Sequence, residues 1–154
     1  MSSGWTPKSS WWIDEAVLLA GRNPEDADLA RLREWGFGVA VSLLEEERQP
    51  ARYDSKAASR AGWSIYSIPV PEGAAPSLEQ LADFTKRVQS SQGTKVLVFC
   101  DTGLGRSACM GAAYWVARGS TVSDAVARLA KAGVKSDWLT AERKAVLYAW
   151  GVGD

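Results

Sequence analysis

The chain contains no histidine. That absence excludes a Ser-His-Asp triad, a Cys-His pair and any metal held by imidazole. Cysteine is scarce too: Cys100 and Cys109 are too few for a disulfide framework or a four-cysteine zinc site. Charge of one sign is missing, since 18 Lys and Arg balance 18 Asp and Glu. No overall basic field therefore draws nucleic acid or an anionic membrane. No apolar run approaches the ~20 residues that span a bilayer, and Met1 to Trp12 holds no continuous apolar stretch of leader length. The expectation is a cytoplasmic monomer with neither nucleic acid nor membrane as partner. Its chemistry is confined to Cys, carboxylates, Arg, Lys, hydroxyls and backbone dipoles, with no metal or cofactor.

What is present is ordinary globular material. The 154 residues are 46% hydrophobic and 23% charged, enough for one compact domain over 1–154 with a core of about 11–150. No repeat or linker divides them. Trp11 to Leu19 reads as a short hairpin. Asn23-Pro24-Glu25-Asp26 reads as a helix start with Asn23 as cap, the helix stopping at Gly36. Phe37 to Leu44 and Trp63 to Ile68 read as strands, with a helix over Arg52 to Ala61 between them. Three prolines and Gly73 constrain the stretch from Pro69 to Pro76. Ser77 and Gln80 form a capping box for a helix ending near Ser91. Lys95 to Phe99 (KVLVF) is a buried strand, and helices follow over Ser107 to Arg118, Val122 to Ala132 and Thr140 to Trp150. Strands alternating with helices predict an α/β fold, a small, mainly parallel sheet flanked by helices with its site at the C-terminal edge.

The chemistry sits in Cys100-Asp101-Thr102-Gly103-Leu104-Gly105-Arg106-Ser107, between a strand and a helix N-terminus. A loop with Gly103 and Gly105 can curl so that successive N–H groups meet one anion, and the helix dipole adds to the attraction. Arg106 offers a bidentate fork to phosphate oxygens. The same positive field favours a thiolate on the loop's cysteine. One segment thus supplies a nucleophile and an anion cradle.

Cys-x5-Arg-Ser after a strand resembles the phosphate-binding loop of the protein tyrosine phosphatase superfamily, and the wider chain resembles its small atypical dual-specificity members. WWIDEAVLLAGRNP, LREWGFGVAVSL, IPVPEGAAPSLEQL and VFCDTGLGRS carry the likeness in order. The resemblance implies the cysteine phosphatase fold and a phosphocysteine on Cys100. It gives the equatorial oxygens to Arg106, a hydrogen bond on the sulfur to Ser107, and a cradle to the amides of Asp101, Thr102, Gly103, Leu104, Gly105 and Arg106. The family's acid is an Asp on the loop after the preceding strand. The matching position here is Glu72, in PEGAAP, which would donate to the leaving oxygen and then accept from water. The implied substrates are phosphorylated proteins, phosphotyrosine first, or small phosphomonoesters. Asp101 beside the nucleophile argues against inositol phosphates, whose charge it would repel.

Two positions depart from the family. Phe99 stands where a loop-bracing His precedes the cysteine, and Arg143 where many relatives have a water-positioning Gln. Phe99, together with Glu72 in place of the Asp, keeps a second function open, a phosphate- or phosphopeptide-binding module with little turnover. Other readings are weaker. Gly103-Leu104-Gly105-Arg106-Ser107-Ala108 satisfies GxGxxA but lies late in the chain, and Asp124, the acid at a suitable distance, falls at a helix start. Arsenate or sulfur chemistry fits the loop but not its surroundings. Cys109 reads as a small core residue, with a resolving thiol for Cys100 as the alternative. Glu45-Glu46-Glu47 reads as a solvated turn, and the tryptophans as packing.

Overall fold

The computed structural model describes residues 10–20, 23–91, 93–101, 105–135 and 138–151. Five strands, β1 (Ser10–Trp12), β2 (Val17–Ala20), β3 (Phe37–Ser42), β4 (Ser64–Ser67) and β5 (Lys95–Phe99), form one sheet in the order β1-β2-β5-β3-β4. Only β1 runs antiparallel to its neighbour. It is joined to β2 by a turn built on Asp14, whose Oδ1 accepts from the amides of Ala16 and Val17 at 2.8 and 3.0 Å. The continuous apolar run of β5 is what a strand buried on both faces requires.

Helices α1 (Asp26–Glu34) and α2 (Ser55–Arg60) cover one face, and α3 (Leu78–Gln89), α4 (Gly105–Ala117), α5 (Val122–Lys131) and α6 (Ala141–Gly151) cover the other. Strand alternation sorts the side chains between two cores. Leu97 and Phe99 enter the smaller one with Leu29, Leu32 and Ala58. Val96, Val98 and Cys100 enter the larger one with Leu81, Phe84, Met110 and Leu147. The thiol of Cys100 therefore faces α4, while its neighbour Phe99 points to the opposite layer.

Several boundaries differ from expectation for identifiable reasons. Glu25, not Asn23, caps α1, through a reciprocal box with Asp28. Asn23 is instead buried, its Nδ2 donating to Pro50 O at 2.8 Å and its Oδ1 accepting from the Arg52 amide at 3.4 Å. Helix α2 starts only at Ser55 because the Asp54 carboxylate takes the amides of Lys56 and Ala57. Ser77 and Gln80 form the capping box as read from the sequence. Helix α4 starts at Gly105, so Arg106 and Ser107 belong to its first turn. No helix among the described residues is long and apolar enough to cross a membrane.

Candidate active site

Cys100 follows β5 directly, and its amide donates to Ala20 O at the end of β2 at 3.2 Å. Its side chain is fully buried. Ser107, in the first turn of α4, places its Oγ 3.3 Å from Cys100 Sγ and 3.0 Å from Ala20 O. A hydroxyl carries one proton, so it donates to one of these at a time. With a thiol at Cys100, Ser107 donates to the carbonyl. With a thiolate, the proton turns to sulfur, where a charge-assisted bond is the stronger.

Arg106 is 2% exposed, buried to a degree rare for a cation without a partner of opposite charge. Its Nη1 donates to Val70 O at 3.0 Å, to Gln49 Oε1 at 2.9 Å and, at 3.5 Å, toward Leu43 O. These carbonyls lie beyond the C-terminal ends of β3 and β4, so the guanidinium ties the helix start to the sheet edge. Its Nη2 is buried with no hydrogen-bond partner, and no carboxylate forms an ion pair with Arg106 among the described residues. Among the described residues this guanidinium is held by neutral oxygens, which leaves its charge for an anion. The first turn of α4 adds backbone N–H groups that the helix itself leaves unpaired.

Glu72 is exposed on the turn after β4, and Gln49 Nε2 lies 3.5 Å from its Oε1. Gln49 thus touches both the Arg106 fork and Glu72. Asp101 is half-buried beside Cys100. Thr102, Gly103 and Leu104, expected in the cradle, lie outside the described residues. Gly105 is described, and a Cβ there would displace the guanidinium of Arg143. Arg143, itself buried, donates from Nε to Ala74 O at 3.2 Å and from Nη1 to Trp138 O at 3.0 Å. It joins the Glu72 turn, the segment before α6 and the start of α4.

Phe99 packs edge-on against Tyr53, centroids 6.1 Å apart. Burial, reinforced by the charge of Glu46, pushes the Tyr53 hydroxyl up to about 12. Burial likewise pushes the Cys109 thiol up to about 12, with Arg143 offsetting part of the effect. At pH 8 that leaves roughly one Cys109 in 10⁴ as thiolate. Iodoacetamide should therefore leave Cys109 unmodified in the native protein at pH 8 and label it after unfolding, as read by peptide mass. Rapid native labelling of Cys109, or its prompt disulfide with Cys100 under peroxide, would restore the resolving-thiol reading.

Sequence reasoning missed Gln49. It sits beside the Glu45 to Glu47 run, and nothing local distinguishes a surface Gln from one folded under a loop. Asn23 was noticed but assigned the wrong task.

The family described as "DSP-PTPase phosphatase fused to NAD+ Kinase" matches residues 7–145. No curated protein matches by sequence. Among solved structures, Tk-PTP in its active form is 27% identical over 95% of this chain and 98% of its own, with a TM-score of 0.77. PTPMT1 is 28% identical over 92% of this chain and 93% of its own, also at 0.77. A mouse putative dual specificity phosphatase crystallised with zinc tungstate shares the fold at 20% identity, covering 98% of this chain and 91% of its own, at 0.75.

Proposed function

Because the chain belongs to the family of dual-specificity, tyrosine-phosphatase-type domains, we propose that it hydrolyses phosphomonoesters through a phosphocysteine on Cys100. The observation that carries this reading is the buried guanidinium of Arg106, without an ion pair among the described residues, within one turn of the Cys100 and Ser107 pair. In the first step the Cys100 thiolate attacks phosphorus while Arg106 and the loop amides hold the equatorial oxygens. The ester bond breaks, and Glu72 gives its proton to the leaving oxygen. In the second step Glu72 takes a proton from water, water attacks phosphorus, and the S–P bond breaks to release inorganic phosphate. Ser107 stabilises the departing sulfur. No step requires a metal.

Phosphotyrosine is the substrate class we favour. The bound ligand in one PTPMT1 structure is PI(5)P. In this chain Asp101 adjoins the nucleophile, and Glu45, Glu46 and Glu47 precede Gln49 on the same loop. Such acidic surroundings disfavour a second phosphate on the substrate. The test is turnover of p-nitrophenyl phosphate in EDTA with acid quenching to trap phosphoenzyme. Metal-independent turnover with phosphate on Cys100 is expected. Turnover that needs a divalent ion would overturn the reading. Silence with retained vanadate binding would replace it with the capture module.

Glu72→Gln should lower kcat on phenyl phosphate about 10²-fold, because a positioned acid is worth at least that to a poor leaving group. The loss on p-nitrophenyl phosphate, whose leaving oxygen needs little help, should be much smaller. Equal losses on the two substrates would remove Glu72 from the acid role.

A further inference from the structure

Gln49 occupies a position whose chemistry admits few side chains. Arg106 can only donate hydrogen bonds, and an ionised Glu72 can only accept them. The group between them must accept on one side and donate on the other, and a carboxamide does both. The 2.9 Å contact from Arg106 Nη1 fixes which end of the amide is oxygen, so Nε2 faces Glu72. Glu in its place could not donate to Glu72, and Lys could not accept from Arg106. Asn would be one methylene short.

The backbone around Gln49 is held as a positioning device requires. The amides of Arg48 and Gln49 donate to Glu45 O at 2.9 and 2.8 Å, closing a turn. Pro50 O is gripped by the buried Asn23 at 2.8 Å, and the Val70 amide donates to Leu43 O at 3.1 Å. Gln49 is itself 8% exposed. On its far side the Glu72 turn is pinned by Arg143 through Ala74 O. Glu72 is thus an exposed carboxylate on a turn braced from two directions, one of them the anion-binding fork itself.

We infer that Gln49 is a positioning residue for the proton-transfer step, aligning Glu72 over the bound phosphate by bridging it to Arg106. The inference rests on the phosphomonoesterase reading above, with Glu72 as acid. Occupation of Arg106 by phosphate and placement of the acid are then parts of one hydrogen-bonded unit. The long 3.5 Å contact to Glu72 has room to shorten as substrate seats and negative charge develops on the leaving oxygen.

The experiment compares kcat on phenyl and p-nitrophenyl phosphate for the full chain, for Gln49→Met and for Gln49→Glu, each with and without Glu72→Gln. Gln49→Met keeps length and loses both bonds. Gln49→Glu keeps an acceptor for Arg106 and loses the donor to Glu72; the negative charge it adds pairs with the fork and weakens phosphate capture on both substrates alike, so this variant is read through their ratio. Both should widen the ratio between the two substrates about tenfold, a fraction of what a positioned acid supplies. In the Glu72→Gln background neither should widen it further. A ratio between the two substrates that stays unchanged, or a change that multiplies with Glu72→Gln, would make Gln49 a merely structural brace and overturn the inference. An active parent is the premise of that comparison. A parent silent on both substrates would refute the phosphatase reading itself, and the inference with it.

Discussion

Cys100→Ser should abolish turnover of p-nitrophenyl phosphate, by roughly 10⁴-fold or more, while leaving inorganic phosphate affinity within about threefold. The size follows from what the chain lacks. A serine hydroxyl at this position would need a base to become a nucleophile, and there is no histidine anywhere to serve. Cysteine does not, because a thiol is intrinsically far more acidic than an aliphatic hydroxyl. The retained affinity follows from geometry: the fork of Arg106 and the first turn of α4 do not depend on sulfur. Ser107 Oγ, 3.3 Å from Sγ, can donate to a hydroxyl oxygen as it does to sulfur. Phosphate binding would be read by calorimetry or by the rise in Tm. Residual hydrolysis of even 1% that copurifies with the mutant and forms phosphoenzyme elsewhere would sink the assignment of Cys100.

Arg106→Lys should cost about 10³-fold in kcat/KM, the penalty for removing donors aimed at developing charge. An ammonium cannot reproduce a planar fork that grips Val70 O and Gln49 Oε1 with one nitrogen and leaves another for a ligand. The more telling variant is Arg106→Met. It leaves those acceptors without a donor, at about 1–3 kcal/mol each. It also removes a buried charge, without an ion pair among the described residues, whose desolvation costs several kcal/mol. The two effects nearly cancel, so the anion-free protein should stay within about 2 kcal/mol of the parent. What disappears is the anion-linked gain: phosphate at 100 times its Kd stabilises the parent by about 2.7 kcal/mol and should do nothing for the variant. A phosphate-induced rise in Tm that survives Arg106→Met would place the anion elsewhere.

How much of this was legible depended on how local the signal was. The KVLVF strand, the loop after it and the helix beyond lie in one continuous stretch, and that stretch is enough to single out Cys100, Arg106 and Ser107. The capping box at Ser77 and Gln80 is equally local and holds. Asn23 looks like a cap because Asn-Pro-Glu-Asp suits a helix start. The loop carrying Pro50 packs over it, and burial gave its amide a better use than the helix end, where Glu25 and Asp28 satisfy each other. Gln49 was out of reach for a related reason. Its meaning comes from β5 lying between β2 and β3, which sets the loop after β3 against the start of α4. No spacing within the chain announces that neighbour. Arg143 stood out only as a departure from the family, and its contact with Gly105 required the assembled helices.

The hydrogen bonds that build the site join residues 36, 57, 63 and 87 positions apart, reaching the end of β2 and the segments after β3 and β4. Contacts of such long range are among the last that a folding chain can secure, since each closes a large loop before any reward arrives. Catalytic competence should therefore return late in refolding, after helical signal and collapse are complete. Internal fragments that lack any one of β2, β3, β4 or β5 should be silent however well their helices form. Recovery of phosphate binding is then a more stringent gauge of a finished fold than any spectroscopic measure of secondary structure.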